Sequence, residues 1–277
     1  MIGAVHEVER REWRVLGALQ FVDATTGAPI DTPLQLQSHT PPGEIVKWQR
    51  NRSGSYVLRE WSRLAAHAQA FDSPPAPPAI GSMTLDCSVD DPAGDYLPRS
   101  FATAWPRDPD PAHRSNAASL FSAERVELMR SARAAIGANW ARLSVRVADS
   151  ASDDALGGAL VEVRTTGGAL LGRGLTEWTG EALLPIAGIP VTTWSEGGGA
   201  VVVSETPARV VAFFLAAAGV RTPRAVADAG FGAQPPALAP VDPDRIAADP
   251  AVHASAPIDL ALAAGRSRAV RIDINLP

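Results

Sequence analysis

Residues 143–163 read LSVRVADSASDDALGGALVEV, and this stretch decides the fold. Leu143, Val145 and Val147 alternate with Ser144 and Arg146, the period-two pattern of a strand with one buried face. Asp149 then opens a turn over residues 150–158, where an acid side chain can accept backbone N–H groups. The small pair Gly158-Ala159 lets two backbones approach and starts a second strand, residues 159–163, expected to pair back on the first. Farther on, Trp178-Thr179-Gly180 reads as a turn, with Gly180 supplying a positive φ, between strands at residues 170–176 and 181–186.

The same plan occurs about 125 residues earlier. Residues 16–30 read LGALQFVDATTGAPI, with Asp23 leading the turn, and Gly54, Tyr56 and Leu58 follow. Here the faces are less cleanly separated, because Leu16 and Val22 are apolar out of phase with Val15, Leu19 and Phe21. Short strands are expected at residues 34–37, 45–48, 55–59, 80–89 and 96–105. Between them the proline-rich loop 73–78 is too stiff for a central strand. Residues 106–111 alternate proline with acids and are expected to stay extended and solvated. Residues 121–136 carry both a helical spacing (Val126, Met129, Arg130, Arg133) and a strand alternation (Val126, Leu128). A linking strand suits the plan better.

These segments predict an all-β chain of two tandem antiparallel β-sandwich domains. Residues 1–12 form an N-terminal extension, 13–107 the first sandwich, 108–120 a Pro-rich linker and 121–277 the second sandwich. The second carries a Pro/Ala-rich excursion, 218–257, too long to be a plain loop and read as a docking arm or a cover for a sheet edge. Residues 258–263 and 269–276 are expected to close the domain as a hairpin across Ala264-Gly265-Arg266-Ser267.

The two units resemble the carboxypeptidase regulatory-like, or transthyretin-like, β-sandwiches. The second copy carries the resemblance at Asp149, Leu156, Gly158, Ala159 and Val161, then Thr176, Glu177 (for the usual Asp), Gly180, Ala182 and Leu184. The first carries it at Asp23, Gly27, Pro29 and Ile30, then Gly54, Tyr56 and Leu58, with the Gly-Ala element replaced by Asp31-Thr32-Pro33. The resemblance implies Ig-like sandwiches acting as accessory or adhesive modules; it specifies a fold and no activity. The chain's layout and its ending, Arg271 to Pro277, are also similar to accessory proteins of phage tails and contractile injection systems.

Composition narrows the function classes. A net charge of −5 argues against nucleic acid as a partner, and no apolar run approaches a membrane span. The N-terminal sequence MIGAVHEVERREWRV puts charges where a signal peptide needs apolar residues, so the chain is expected in the cytoplasm or in a particle assembled there. Cys87, the only cysteine, sits in an alternating segment and is expected to be buried. Five scattered histidines show no metal-ligand spacing, no nucleotide or nucleophile motif occurs, and Gly197-Gly198-Gly199 has no helix after it. No catalytic residue, cofactor or metal is therefore assigned.

The expected role is non-catalytic: a scaffold or connector with protein partners in a larger assembly, tail-like by resemblance. Its seven tryptophans leave a carbohydrate-binding module as the alternative. Trp13 and Trp140 open the two sandwiches and read as core. Trp178 and Trp194 flank turns and are the first contact candidates. Pro75 and Pro77 in the stiff loop, and Phe231 and Pro235 in the excursion, complete the candidate interface.

Overall fold

The computed structural model describes residues 14–70, 73–190, 205–230 and 238–277. They form two compact units, drawn from Met1–Gln20, Ser38–Asp86 and Ala102–Arg125 in the first and from Phe21–Gln37, Cys87–Phe101 and Val126–Pro277 in the second. The fold is all-β, with three short α-helices among the described residues: α1 (Ala65–Gln69), α2 (Arg224–Ala229) and α3 (Pro243–Ala248).

The first seven strands are β1 (Gly17–Asp23), β2 (Gln35–His39), β3 (Val46–Arg50), β4 (Tyr56–Trp61), β5 (Met83–Asp90), β6 (Arg99–Trp105) and β7 (Glu124–Leu128). They make a four-stranded sheet, β3-β4-β1-β7, and a three-stranded sheet, β2-β5-β6. Inward aromatics join the sheets: Trp48 meets Trp105 edge-on at 6.1 Å, and Phe21 meets Phe101 at 5.9 Å. Cys87 is fully buried, as its alternation implies. Residues 124–128 are a strand, which decides the ambiguous segment. Residues 106–111, expected to be extended, instead belong to a segment that folds back: the Asp108 N–H donates to Ala118 O and the Leu120 N–H to Asp108 O, both at 2.8 Å. Asp110 caps the short 3-10 turn Pro111–His113, and the Arg107 guanidinium reaches Glu124 at 3.1 Å. Acids beside proline here cap a turn rather than solvate an extended chain.

Ten further strands belong to the second unit: β8 (Ala141–Asp149), β9 (Ala155–Gly157), β10 (Leu160–Thr165), β11 (Leu170–Leu175), β12 (Glu181–Ile186), β13 (Thr206–Phe214), β14 (Val220–Thr222), β15 (His253–Ala254), β16 (Ile258–Leu262) and β17 (Ser267–Ile274). One sheet runs β11-β10-β13, with β15 and β16 both on β13. The other runs β12-β8-β9-β14, with β17 on β8. Leu143, Val145, Val147, Val161, Val163, Leu184, Val210, Phe214 and Ile272 fill the space between them.

Two strand pairings differ from the expectation. Residues 159–163 do not pair back on the opening strand; β10 lies in the opposite sheet, between β11 and β13. Gly158, at φ +78°, redirects the chain after the short β9, and β10 becomes a central strand whose first four residues are all buried. Likewise β16 and β17 are not a hairpin. β16 pairs antiparallel with β13, and β17 pairs parallel with β8. Leu262 on one strand and Ile272 and Ile274 on the other point into the same core. Two strands facing each other across a core cannot also be neighbours in one sheet.

The excursion is largely built into the sandwich. β14 adds an edge to β9, β15 pairs with the end of β13, and Val241 and Ile246 enter a satellite core with Met129, Leu160, Leu175 and Leu215. Its described part therefore covers sheet edges rather than projecting as an arm. Phe231, Pro235 and the Gly197–Gly199 run lie outside the described residues.

Both Asp-led turns have the same geometry. Asp23 N–H donates to Ala28 O and accepts at its carbonyl from Gly27; Asp149 N–H donates to Asp154 O and its carbonyl accepts from Asp153. The fifth residue of each has positive φ, Gly27 at +69° and Asp153 at +63°. The later glycine is equally constrained. Gly180 sits at φ +74°, and a Cβ there would lie 2.6 Å from Val147 O. Gly180→Ala is expected to destabilise the second unit by about 1–3 kcal/mol, from backbone strain plus the contact. A urea midpoint unchanged from the parent would refute this.

Candidate interaction site

The site begins with the alternation of β12. Ala182, Leu184 and Ile186 point into the core, which turns Glu181 and Leu183 outward. On β8 the outward set is Ser144 and Arg146, and on β17 it is Ala269 and Arg271. These residues, with Ala132 and Glu177, line an open groove of about 540 Å³ on the outer face of the sheet. Leu183 is a half-buried apolar side chain in its floor.

The charges in this groove are unequally engaged. Arg146 pairs with Asp228 at 2.9 Å, and Arg271 pairs with Asp153 at 2.5 Å and Asp273 at 2.9 Å. Glu177 and Glu181 form no ion pair among the described residues. Burial pushes the Glu177 carboxyl above its ordinary value; Arg133 opposes this and Glu181 adds to it. The groove therefore offers acid groups beside Ala, Val and Leu, while its arginines are held by neighbouring aspartates.

Trp178 stands half-buried at the turn between β11 and β12, its backbone packed closely against Gly157. With Glu177 it lines a second, smaller concavity of about 260 Å³, whose walls are Leu97, Pro98, Leu175, Leu238 and Val241. Glu177 is common to both hollows. Of the sequence-assigned contact residues, Trp178 lies at this site. Trp194, Phe231 and Pro235 fall outside the described residues, and Pro75, half-buried, and Pro77, exposed, belong to the other unit. The groove residues Glu177, Glu181 and Leu183 were not among the contact candidates read from sequence, where Glu177 stood only as a fold-motif residue, though Leu183 on the solvent side of an alternating strand was a visible sign.

The described tryptophans do not form an exposed row. Trp61 and Trp105 are buried, and Trp48, Trp140 and Trp178 are partly covered. Trp48 donates to Ser38 Oγ at 2.8 Å, and Trp140 packs under the Arg130 guanidinium at 5.1 Å. Trp13 lies outside the described residues. Nothing here favours sugar stacking. Among the described residues no group of three or more His, Cys, Asp or Glu side chains is placed to hold a metal ion, and no helix is long and apolar enough to cross a membrane.

No protein-family model matches the chain, and no curated protein matches it. Two solved structures, both variants of the shaft pilin SpaA from Lactobacillus rhamnosus GG, overlap it in part. One shares 9% identity at a TM-score of 0.23, covering 70% of this chain and 64% of the pilin. The other shares 9% at 0.21, covering 70% and 66%. The chain spans less than two thirds of the pilin, and superposition this low carries no argument about function.

Proposed function

We propose that the chain works by contact rather than by catalysis, as a β-sandwich scaffold or connector with protein partners in a larger assembly. The observation that carries this reading is the outer face of β12, β8 and β17, which is left open among the described residues. It combines an apolar floor around Leu183, two carboxylates with no ion pair among the described residues and an adjacent tryptophan, the mixture from which protein contacts are built. Rigid sheets behind it hold that surface in one geometry, which lowers the ordering cost of docking. Within this reading the assembly is a tail-like contractile particle, an assignment supported only by the layout of the chain and its ending.

Leu183→Arg tests the reading directly. A surface change of this kind shifts stability by about 0.5 kcal/mol or less, whereas a charge in the centre of a contact weakens it by tenfold or more, about 1.4 kcal/mol. Isolation from the native host under mild conditions should give a large complex that L183R dissociates at unchanged melting temperature. A parent chain that migrates alone would overturn the reading. Tube, sheath or baseplate proteins in the complex would support the tail-like assignment, and other partners would remove it.

A further inference from the structure

Sheet edges are places where another strand can add, and folded proteins blunt them with proline, glycine, bulges, brevity or charged side chains. Most edges in the second unit are treated this way. β14 and β15 have three and two residues, β12 contains Pro185, and β11 contains Gly172 and Gly174 opposite a register shift. β16 has five residues and begins just after Pro257.

β17 carries charged side chains but none of the other devices. Its eight residues contain neither proline nor glycine, and it pairs with β8 in unbroken register from Ser267–Arg142 to Ile274–Asp149. Arg142 N–H donates to Arg266 O and Ser150 N–H to Ile274 O, both at 2.9 Å. The even-numbered backbone groups thus face β8. In a parallel pair a residue's N–H and C=O point to the same side, so those of Ser267, Ala269, Arg271 and Asp273 point away from β8. Among the described residues no strand takes them.

We infer that a second copy of this chain takes them, through antiparallel β17–β17 pairing with Ile272 on the two-fold axis. Charge selects both the occupant and the register. Arg271 and Asp273 lie on the outer face, with Nε of one 2.9 Å from the other's carboxylate. With Ile272 on the axis, Arg271 of each copy stands opposite Asp273 of the other, so the favourable pair is made twice. Moving the axis by one residue either way sets Arg271 against Arg271, or Asp273 against Asp273, across the two-fold. The strand is therefore self-complementary in one register and self-repelling in its neighbours. This inference rests on the contact reading of the chain and names one partner for it.

Sedimentation equilibrium of the purified full chain, at concentrations from about one to a few hundred micromolar, tests it. The parent should associate to a dimer. R271D and D273R each put like charges opposite one another twice and should weaken dimerisation by roughly tenfold. The swap R271D/D273R should restore it to within about threefold of the parent. A269P removes an outward N–H while leaving the β8 ladder intact, and should give a folded monomer by circular dichroism. A parent that is monomeric throughout, or a dimer insensitive to all four variants, overturns the inference. A monomeric parent that still isolates in a native complex overturns only self-pairing and leaves the contact reading standing.

Discussion

Asp242→Asn combined with Asp244→Asn is expected to destabilise the second unit by about 3–5 kcal/mol, the usual consequence of leaving a buried charge without its counter-ion. The charge in question is Arg99, only 3% exposed, whose guanidinium reaches Asp244 at 2.9 Å and Asp242 at 3.4 Å. It also donates to the carbonyls of Glu127 at 2.8 Å and Ser100 at 3.2 Å. Arg173 meets the same Asp244 at 2.8 Å and Glu127 at 2.9 Å. Arg99→Met should cost less, about 1–3 kcal/mol, because water can reach Asp244 when the guanidinium is gone. Adding R99M to the double asparagine variant should recover part of the loss. Urea midpoints for the four proteins decide the matter, and equal costs from the two sides would contradict the asymmetry.

The same cluster sets a pH dependence. Burial alone would raise the Asp244 carboxyl, but hydrogen bonds from Arg173 and Arg99 outweigh it and hold the group below its ordinary 3.8. A carboxyl depressed by folding contributes stability above its unfolded value and loses it as the pH falls through its folded one. The contribution should therefore disappear in acid, below the ordinary value of 3.8, and the asparagine variant should lack that part of the acid slope.

Much of the strand content was legible because alternation at Leu143, Val145 and Val147, and turn chemistry at Asp23, Asp149 and Gly180, are local properties. What alternation cannot say is which sheet a strand joins. Ile258, Leu260 and Leu262 announce an inward face, as do Val270, Ile272 and Ile274, but the same faces fit a hairpin or two opposed sheets. The core decides, and it is assembled from residues far apart in the chain. The groove was hidden for a related reason. Ser144, Leu183 and Ala269 come from three separate segments, and only the parallel β8–β17 pairing completes the face they share. Arg99 gave no local sign either, since its acids lie more than 140 positions away.

Asp23→Ala is expected to cost about 3–5 kcal/mol, and Asp149→Ala, at the matching position of the second copy, about 1–3. Both carboxylates hold an Asp-led turn, but their surroundings differ. Both side chains are buried, but Asp23 takes N–H groups from Thr25 at 2.7 Å and Thr26 at 3.0 Å, the Tyr96 hydroxyl at 3.0 Å, and Arg130 at 2.5 Å, an arginine only 18% exposed. Arg130 in turn lies over the rings of Tyr96 and Trp140, so losing the carboxylate loosens several packed groups at once. Asp149 takes Ser152 Oγ at 2.7 Å and Arg221 at 2.5 Å, but Arg221 is 42% exposed and keeps Asp154 as a second partner. Tyr96 reports on the first site without any unfolding. Burial, and then the Asp23 charge, push its phenol up to about 12. In Asp23→Asn the burial persists while the charge is gone, so the midpoint should fall part of the way toward the ordinary 10.0. The chain has two tyrosines, and Tyr56 is common to both proteins, so a difference titration of phenolate absorbance after a rapid pH jump isolates Tyr96. An unshifted midpoint would mean that the Asp23 carboxylate does not hold the Tyr96 proton, and the larger cost assigned to Asp23→Ala would lose its basis.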